Sequence, residues 1–143
     1  MDDADANPQP EGSENRKKQL EMTKGTDNAY ALAKKYHIKT VWGTDCLFDA
    51  KLATRQGAQL AKLTRWYTPY EILKMATSTN AELLAMSGPR NPYPHPLGVI
   101  VEGAYADLLI VDGSPIENIK LVENPEKNFL VIMKNGIVYK NTL

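Results

Sequence analysis

The chain has 143 residues, of which 43% are hydrophobic and 24% are charged, values typical of one globular domain with a hydrophobic core. Its 17 basic and 17 acidic residues give a net charge of zero, so bulk electrostatics favours neither nucleic acid nor an anionic membrane as a partner. Cys46 is the single cysteine, which excludes an intrachain disulfide, and no apolar run approaches the ~20 residues of a membrane span.

The N-terminal part predicts a polar segment followed by helix. Residues 1–14 are rich in Pro, Gly, Asn, Asp and Glu, which predicts a flexible acidic segment unlike a signal peptide. From Asn15 to Tyr36, apolar residues recur at helical spacing. Gly25 interrupts this pattern, so the sequence allows one helix or two shorter ones, the second capped by Asp27.

A short apolar run carries the first candidate functional residue. Ile38 to Trp42 consists largely of β-formers and predicts a buried strand, which Gly43-Thr44-Asp45 ends. Barrel enzymes place catalytic groups at the carboxyl end of such strands. Asp45 is therefore the candidate catalytic residue, although an Asp after a strand is often only a helix cap.

Two further helices are expected after this turn. Phe48 to Trp66 shows an apolar face at helical spacing. Thr68-Pro69-Tyr70-Glu71 predicts a helix start, with Thr68 as N-cap, Pro69 as the first helical residue and Glu71 completing a capping box. This helix is expected to run to about Met86, with Leu83 and Leu84 facing the core, and to stop at Ser87-Gly88-Pro89.

The last third of the chain has a β pattern. Residues 91–96 have Pro at every second position and predict an extended linker. The dipeptide Asn135-Gly136 lies between two apolar runs and predicts a hairpin with a type I′ turn. We expect four strands here, the second of them buried because it is almost wholly apolar: Leu97–Val101, Ala106–Val111, Phe129–Lys134 and Ile137–Lys140.

Four separated motifs occur in one order along the chain. They are Gly43-Thr44-Asp45, the segment from Thr68 to Leu84, the segment from Leu97 to Pro115, and the hairpin Val131 to Tyr139. Together they resemble the C-terminal third of metal-dependent amidohydrolases, with the closest similarity to the imidazolonepropionase-like and Xaa-Pro dipeptidase-like branch. The resemblance covers roughly residues 15–143, and the order of the motifs is more specific than any one of them.

The resemblance implies an α/β fold. Residues 15–90 would be the last part of a TIM-type β/α barrel, so that Ile38 to Gly43 would be its last strand. Residues 91–96 would link it to residues 97–143, the C-terminal half of a composite β-sandwich. The N-terminal barrel portion would be the missing partner of this chain.

The resemblance also implies a chemistry. Complete members bind a divalent metal, often zinc, and hydrolyse carbon–nitrogen bonds in amides, cyclic amides or dipeptide-like molecules. Asp45 matches the Asp that closes the last strand, where it would be both metal ligand and acid–base catalyst. No other ligand position has a match, so this chain alone is expected to be inactive and to bind no metal stably. The alternative is a non-catalytic interaction or scaffold subunit.

Other candidates have simpler explanations in the sequence. His37 precedes the predicted strand and is expected to be a cation near a helix C-terminus, far from Asp45. His95 lies between prolines, where a role in a substrate loop is the less favoured alternative. Cys46 has no histidine placed to activate it and is expected to be a small, half-buried residue. Asp49 is expected in the first turn of a helix, where its charge is favourable.

Overall fold

The computed structural model describes residues 8–46 and 49–143. Half of the predicted flexible segment, residues 1–7, and Phe48 at the predicted start of a helix lie outside the described residues. The chain divides into two compact units between Lys39 and Thr40.

The first unit is built on one long helix, α1 (Glu14–Lys35). Ser13 caps its N-terminus, and the Ser13 hydroxyl accepts a hydrogen bond from the Arg16 amide at 3.1 Å. The helix runs through Gly25 without a break, so the alternative of two helices with an Asp27 cap is wrong. None of its 22 residues, all of them described, is buried.

His37 ends α1. Its backbone is left-handed, with φ 52°. The His37 amide donates to Lys34 O at 3.2 Å, and the Ile38 amide donates to Ala33 O at 2.8 Å. These two bonds form a Schellman motif, in which His37 takes the position that usually belongs to glycine. His37 thus lies at a helix C-terminus, as expected.

The second unit contains five short helices, three 3₁₀ turns and one sheet among its described residues. The helices are α2 (Ala50–Ala53), α3 (Gln56–Ala61), α4 (Pro69–Ala76), α5 (Ser78–Ala85) and α6 (Pro125–Asn128). The 3₁₀ turns span Lys62–Arg65, Gly88–Arg90 and Ile119–Glu123. The strands are β1 (Leu108–Val111), β2 (Phe129–Lys134) and β3 (Ile137–Asn141).

The predicted strand from Ile38 to Trp42 is not a strand in the structure. A strand is defined by its hydrogen-bonded neighbour, and no segment of residues 8–46 and 49–143 pairs with this one. The β-forming sequence is therefore present without the ladder that would make it a strand.

Both predicted long helices are divided. The described part of the first, residues 49–66, becomes α2, α3 and a 3₁₀ turn. The segment from Pro69 to Met86 breaks at Thr77, which has φ −122° and ψ −98°. Because of this break α5 turns a different face to the core, and Leu83 and Leu84 are 49% and 41% exposed rather than buried.

The capping box of α4 is confirmed. The Glu71 amide donates to Thr68 Oγ1 at 3.3 Å, and the Thr68 amide donates to Glu71 Oε2 at 2.7 Å. Pro69 is the first helical residue. The local sequence therefore determines the start of this helix, whereas its end depends on packing.

The sheet is antiparallel with the strand order β1-β2-β3. The predicted hairpin is confirmed, because Asn135 and Gly136 have φ 50° and 77° between β2 and β3. Leu109 faces Ile132, and Lys134 faces Ile137.

Two expectations for the sheet are wrong. The segment Leu97–Val101 is not a strand, since Gly98 has φ 67°, which interrupts extended backbone. β1 is not buried: Leu108, Leu109 and Ile110 are all exposed. A wholly apolar strand is buried only where layers cover both of its faces, and the described residues do not supply them.

The core of the second unit is formed by side chains from its helices, its 3₁₀ turns and its sheet. Ile72 of α4 and Ile119 are its two fully buried large side chains. A Cβ on Gly57 of α3 would come within 1.9 Å of Val122 O, so these two segments pack with direct backbone contact. The other buried apolar residues are Leu60, Ala61, Leu63, Tyr67, Met75, Val122 and Val131.

Within the part of the chain that the structure describes, no helix combines the length and apolar character needed to cross a bilayer.

Candidate functional site

The candidate site is the turn Gly43-Thr44-Asp45. Asp45 is exposed to solvent, and its backbone is left-handed with φ 50°. Asp adopts left-handed backbone more readily than most residues with a Cβ, and contacts from other segments hold the residues on both sides of the turn. Those contacts lie immediately before and after it.

Trp42 is held on the N-terminal side of the turn by a side chain from α5. The Trp42 amide donates to Asn80 Oδ1 at 3.1 Å, and Asn80 Nδ2 donates to Trp42 O at 2.9 Å. One amide side chain thus satisfies both backbone groups of one residue, as a hydrogen-bonded pair does in an antiparallel ladder.

Cys46 is held on the C-terminal side of the turn. Gln59 Nε2 lies 3.1 Å from Cys46 Sγ and donates to Leu52 O at 3.2 Å. Cys46 is half-buried and free, as the sequence indicates. Its sulfur contacts an amide rather than a general base, and this agrees with a packing role.

The remaining candidates do not gather at the turn. Asp49 caps α2, and its carboxylate accepts from the Leu52 amide at 2.8 Å, which is the ordinary role of an Asp at this position. His95 lies in the linker with its ring 5.5 Å from the Tyr105 ring, edge to face. It lines an open groove of ≈ 450 Å³ between the linker and α5.

The donor set at the turn does not make a metal site by itself. Among residues 8–46 and 49–143, no three His, Cys, Asp or Glu side chains are grouped so that they could hold an ion. A stable zinc site needs three or four protein ligands. Asp45 can contribute one carboxylate to a metal centre but cannot form one.

Sequence reasoning missed Asn80 and Gln59. Asn80 lies in the third position of α5, where a polar residue needs no special explanation, and Gln59 lies in the middle of a helical pattern. The signal that was available is the β-forming segment before Asp45, because its backbone groups need hydrogen-bond partners somewhere in the fold.

Comparison with known proteins identifies the family. The model of the amidohydrolase family matches residues 9–140, and the chain belongs to this family, which is a family of hydrolases. This confirms the resemblance read from the four motifs. The search of the curated proteins found no match.

Solved structures agree with this assignment. The chain is similar to a crystal structure of an amidohydrolase, with 29% identity and a TM-score of 0.69 over 81% of this chain. It is also similar to a prolidase complexed with N-methylphosphonate-L-proline, with 26% identity and a TM-score of 0.66 over 80% of this chain. In both cases the match spans 26% of the solved chain, about a quarter of its length.

Proposed function

We propose that this chain is the portion of a metal-dependent hydrolase that carries the Asp45 carboxylate, and that the whole enzyme cleaves carbon–nitrogen bonds in amides, cyclic amides or dipeptide-like molecules. The observation that carries the proposal is the match of the amidohydrolase family to residues 9–140, which includes the anchored turn with Asp45. The prolidase neighbour with its proline phosphonate supports dipeptide-like molecules within this range.

The proposed architecture follows the family resemblance. Residues 15–90 would be the last part of a β/α barrel, and residues 97–143 the C-terminal half of a β-sandwich. In the complete barrel the segment from Ile38 to Gly43 would gain neighbouring strands, and exposed β1 would gain a covering layer. The chain's match to a quarter of each solved neighbour supports a large missing portion.

Asp45 would act as an acid–base group. A carboxylate beside a substrate carbonyl can orient a water molecule, take its proton during attack and return the proton to the leaving amine. The exposure of Asp45 leaves room for water and substrate. The further metal donors would come from the missing portion, so the chain alone would bind no metal and would be inactive.

The test is reconstitution. The chain is mixed with the remaining barrel portion of an amidohydrolase and with zinc, and release of amine from a prolyl dipeptide and from a cyclic amide is measured. Asp45→Asn should lower kcat by about 10²-fold or more, the usual range for a lost acid–base group. Asp49→Asn is the matched control, since Asp49 is an exposed carboxylate that caps α2, and its activity should stay within about twofold of the parent.

Activity that survives Asp45→Asn would remove Asp45 from the mechanism. A complex that forms with the barrel portion but never hydrolyses either substrate would favour the alternative, a non-catalytic interaction or scaffold subunit.

A further inference from the structure

We propose that Asn80 is a positioning residue for Asp45: its side-chain amide holds the Trp42 peptide backbone and thereby sets where the Asp45 carboxylate points. The inference rests on the proposed function, because it gives Asn80 a role through Asp45 rather than through contact with substrate. It begins from the two hydrogen bonds of 3.1 and 2.9 Å between Asn80 and Trp42.

Two hydrogen bonds constrain the Trp42 backbone more tightly than one would. A single hydrogen bond leaves the Trp42 backbone free to rotate about it, whereas a donor and an acceptor on one rigid amide plane define both distance and orientation. Trp42 lies only three residues before Asp45. A small rotation at Trp42 would therefore move the carboxylate, and an error of about 1 Å in such a group can cost 10²-fold in rate.

Asn80 is itself held in place by the fold. It lies in the first turn of α5, next to Thr79, which is 9% exposed. The break before α5 is fixed by two contacts: Thr77 Oγ1 donates to Leu73 O at 2.7 Å, and the Gly98 backbone packs against the Thr77 carbonyl group. The amide is thus presented from a segment that these contacts support, as a positioning residue requires.

The Gln59 contact completes the arrangement. It holds Cys46 directly after Asp45, with 3.1 Å between Nε2 and Sγ. The turn is therefore held on both sides while the Asp45 side chain stays exposed.

The test measures hydrogen exchange and carboxyl chemical shifts by NMR on the 143-residue chain. Asn80→Ala should speed exchange of the Trp42 amide at least tenfold and shift the Asp45 carboxyl carbon. Exchange of the Val131 amide in β2 should stay unchanged. Asn128→Ala is the matched control, since Asn128 Nδ2 also donates to a backbone carbonyl, Leu121 O at 2.8 Å, but far along the chain from the turn. It should leave Trp42 and Asp45 unaffected.

Asn80→Asp provides a rescue that a general loss of stability cannot imitate. At neutral pH its carboxylate repels the Trp42 carbonyl oxygen, which pushes the Trp42 peptide out of the paired geometry and weakens the bond from the Trp42 amide as well. When it is protonated, the O–H donates to that oxygen and restores both bonds. Protection of the Trp42 amide, corrected for intrinsic exchange, should return in this variant as the pH falls through its carboxyl pKa.

The outcomes are decisive in either direction. Unchanged Trp42 exchange in Asn80→Ala, equal loss of protection at Trp42 and Val131, or no rescue in Asn80→Asp would each overturn the proposal. In the reconstituted enzyme Asn80→Ala should lower kcat about tenfold or more and leave KM within about twofold of the parent. This pattern is expected when the Asp45 carboxylate, which acts in the transition state, is misplaced. Failure of the proposed function is seen separately, as activity that survives Asp45→Asn.

Discussion

The backbone of Gly98 lies directly against the carbonyl group of Thr77: a Cβ built on Gly98 would come within 2.5 Å of the Thr77 carbonyl carbon and 2.6 Å of its oxygen. Thr77 is the residue at which α4 and α5 separate. A residue after the Pro-rich linker therefore packs against the break between the helices from which Asn80 reaches Trp42, although Gly98 and Asn80 belong to different predicted segments.

Gly98→Ala should accordingly destabilise the chain through two costs. Its φ of 67° is unfavourable for alanine by about 1–2 kcal/mol, and overpacking against backbone adds about 1–3 kcal/mol. Gly103→Ala measures the backbone cost without the packing cost, because Gly103 has φ 82° and nothing within 4 Å of its Cβ position. In urea unfolding, Gly98→Ala should lower the free energy of unfolding more than Gly103→Ala does. Equal decreases would mean that the contact with Thr77 adds nothing to the cost of the substitution.

The elements that the sequence predicted correctly are those with local signals. Thr68 and Glu71 form a capping box because the two partners are three residues apart, and Asn135-Gly136 forms the hairpin because a type I′ turn needs positive φ at both positions. Such signals involve only neighbours in the chain, so the pattern alone determines them. The family resemblance was also available from local motifs and their order.

The expectations that proved wrong depended on contacts between distant residues. The break at Thr77 lies against the backbone of Gly98, and the backbone of Trp42 is paired by Asn80, 38 residues away. The burial of β1 and the strand before Asp45 were inferred from apolar character, but both need neighbouring layers or strands. The sequence indicates that Asp45 ends a β-forming segment; it does not indicate which side chains hold the turn.

The capping box predicts a coupled loss of stability at the start of α4. Thr68→Ala should cost about 1 kcal/mol, because it leaves the Glu71 amide without its acceptor at 3.3 Å. Thr68→Ser keeps the hydroxyl and should be close to neutral. The Thr68 hydroxyl also donates to Glu71 Oε2 at 2.8 Å, and either substitution removes this shared bond. In urea unfolding, Thr68→Ala and Glu71→Ala together should therefore cost less than the sum of the single losses. Strict additivity would mean that the bond between the two side chains contributes nothing to stability.

The turn of the hairpin is tied to the segment before β1. The Asn135 amide donates to Asp107 Oδ1 at 2.6 Å, while Lys134 lies 3.8 Å from Asp107 Oδ2 and is 66% exposed. The hydrogen bond should dominate, since exposed ion pairs contribute little. Asp107→Ala should cost about 1–2 kcal/mol, whereas Lys134→Ala should cost less than about 0.5 kcal/mol. The reverse order in thermal unfolding would assign the stabilisation to the ion pair.

Ile72 and Ile100 give a direct test of where the core lies. Ile72 is 0% exposed in α4, and Ile100 is 89% exposed in the segment wrongly predicted as a strand. Ile72→Ala should cost about 2–5 kcal/mol through lost burial and a residual cavity, and Ile100→Ala should change stability by less than about 0.5 kcal/mol. A large cost at Ile100, measured by urea unfolding of the chain alone, would place that segment inside the core and contradict the described packing.

Zinc titration of the chain alone tests whether Asp45 needs donors from elsewhere. Because the described residues hold no group of three suitable side chains, calorimetry should detect no saturable binding at micromolar zinc, and a chelator should leave the thermal unfolding of the chain unchanged. Asp45→Asn should give the same result as the parent chain. In the reconstituted enzyme the same chelator should abolish hydrolysis, since the site would then be complete and the ion essential. Tight zinc binding by the isolated chain that Asp45→Asn weakens would show that this turn carries its own metal site and would refute the proposed need for donors from the missing portion.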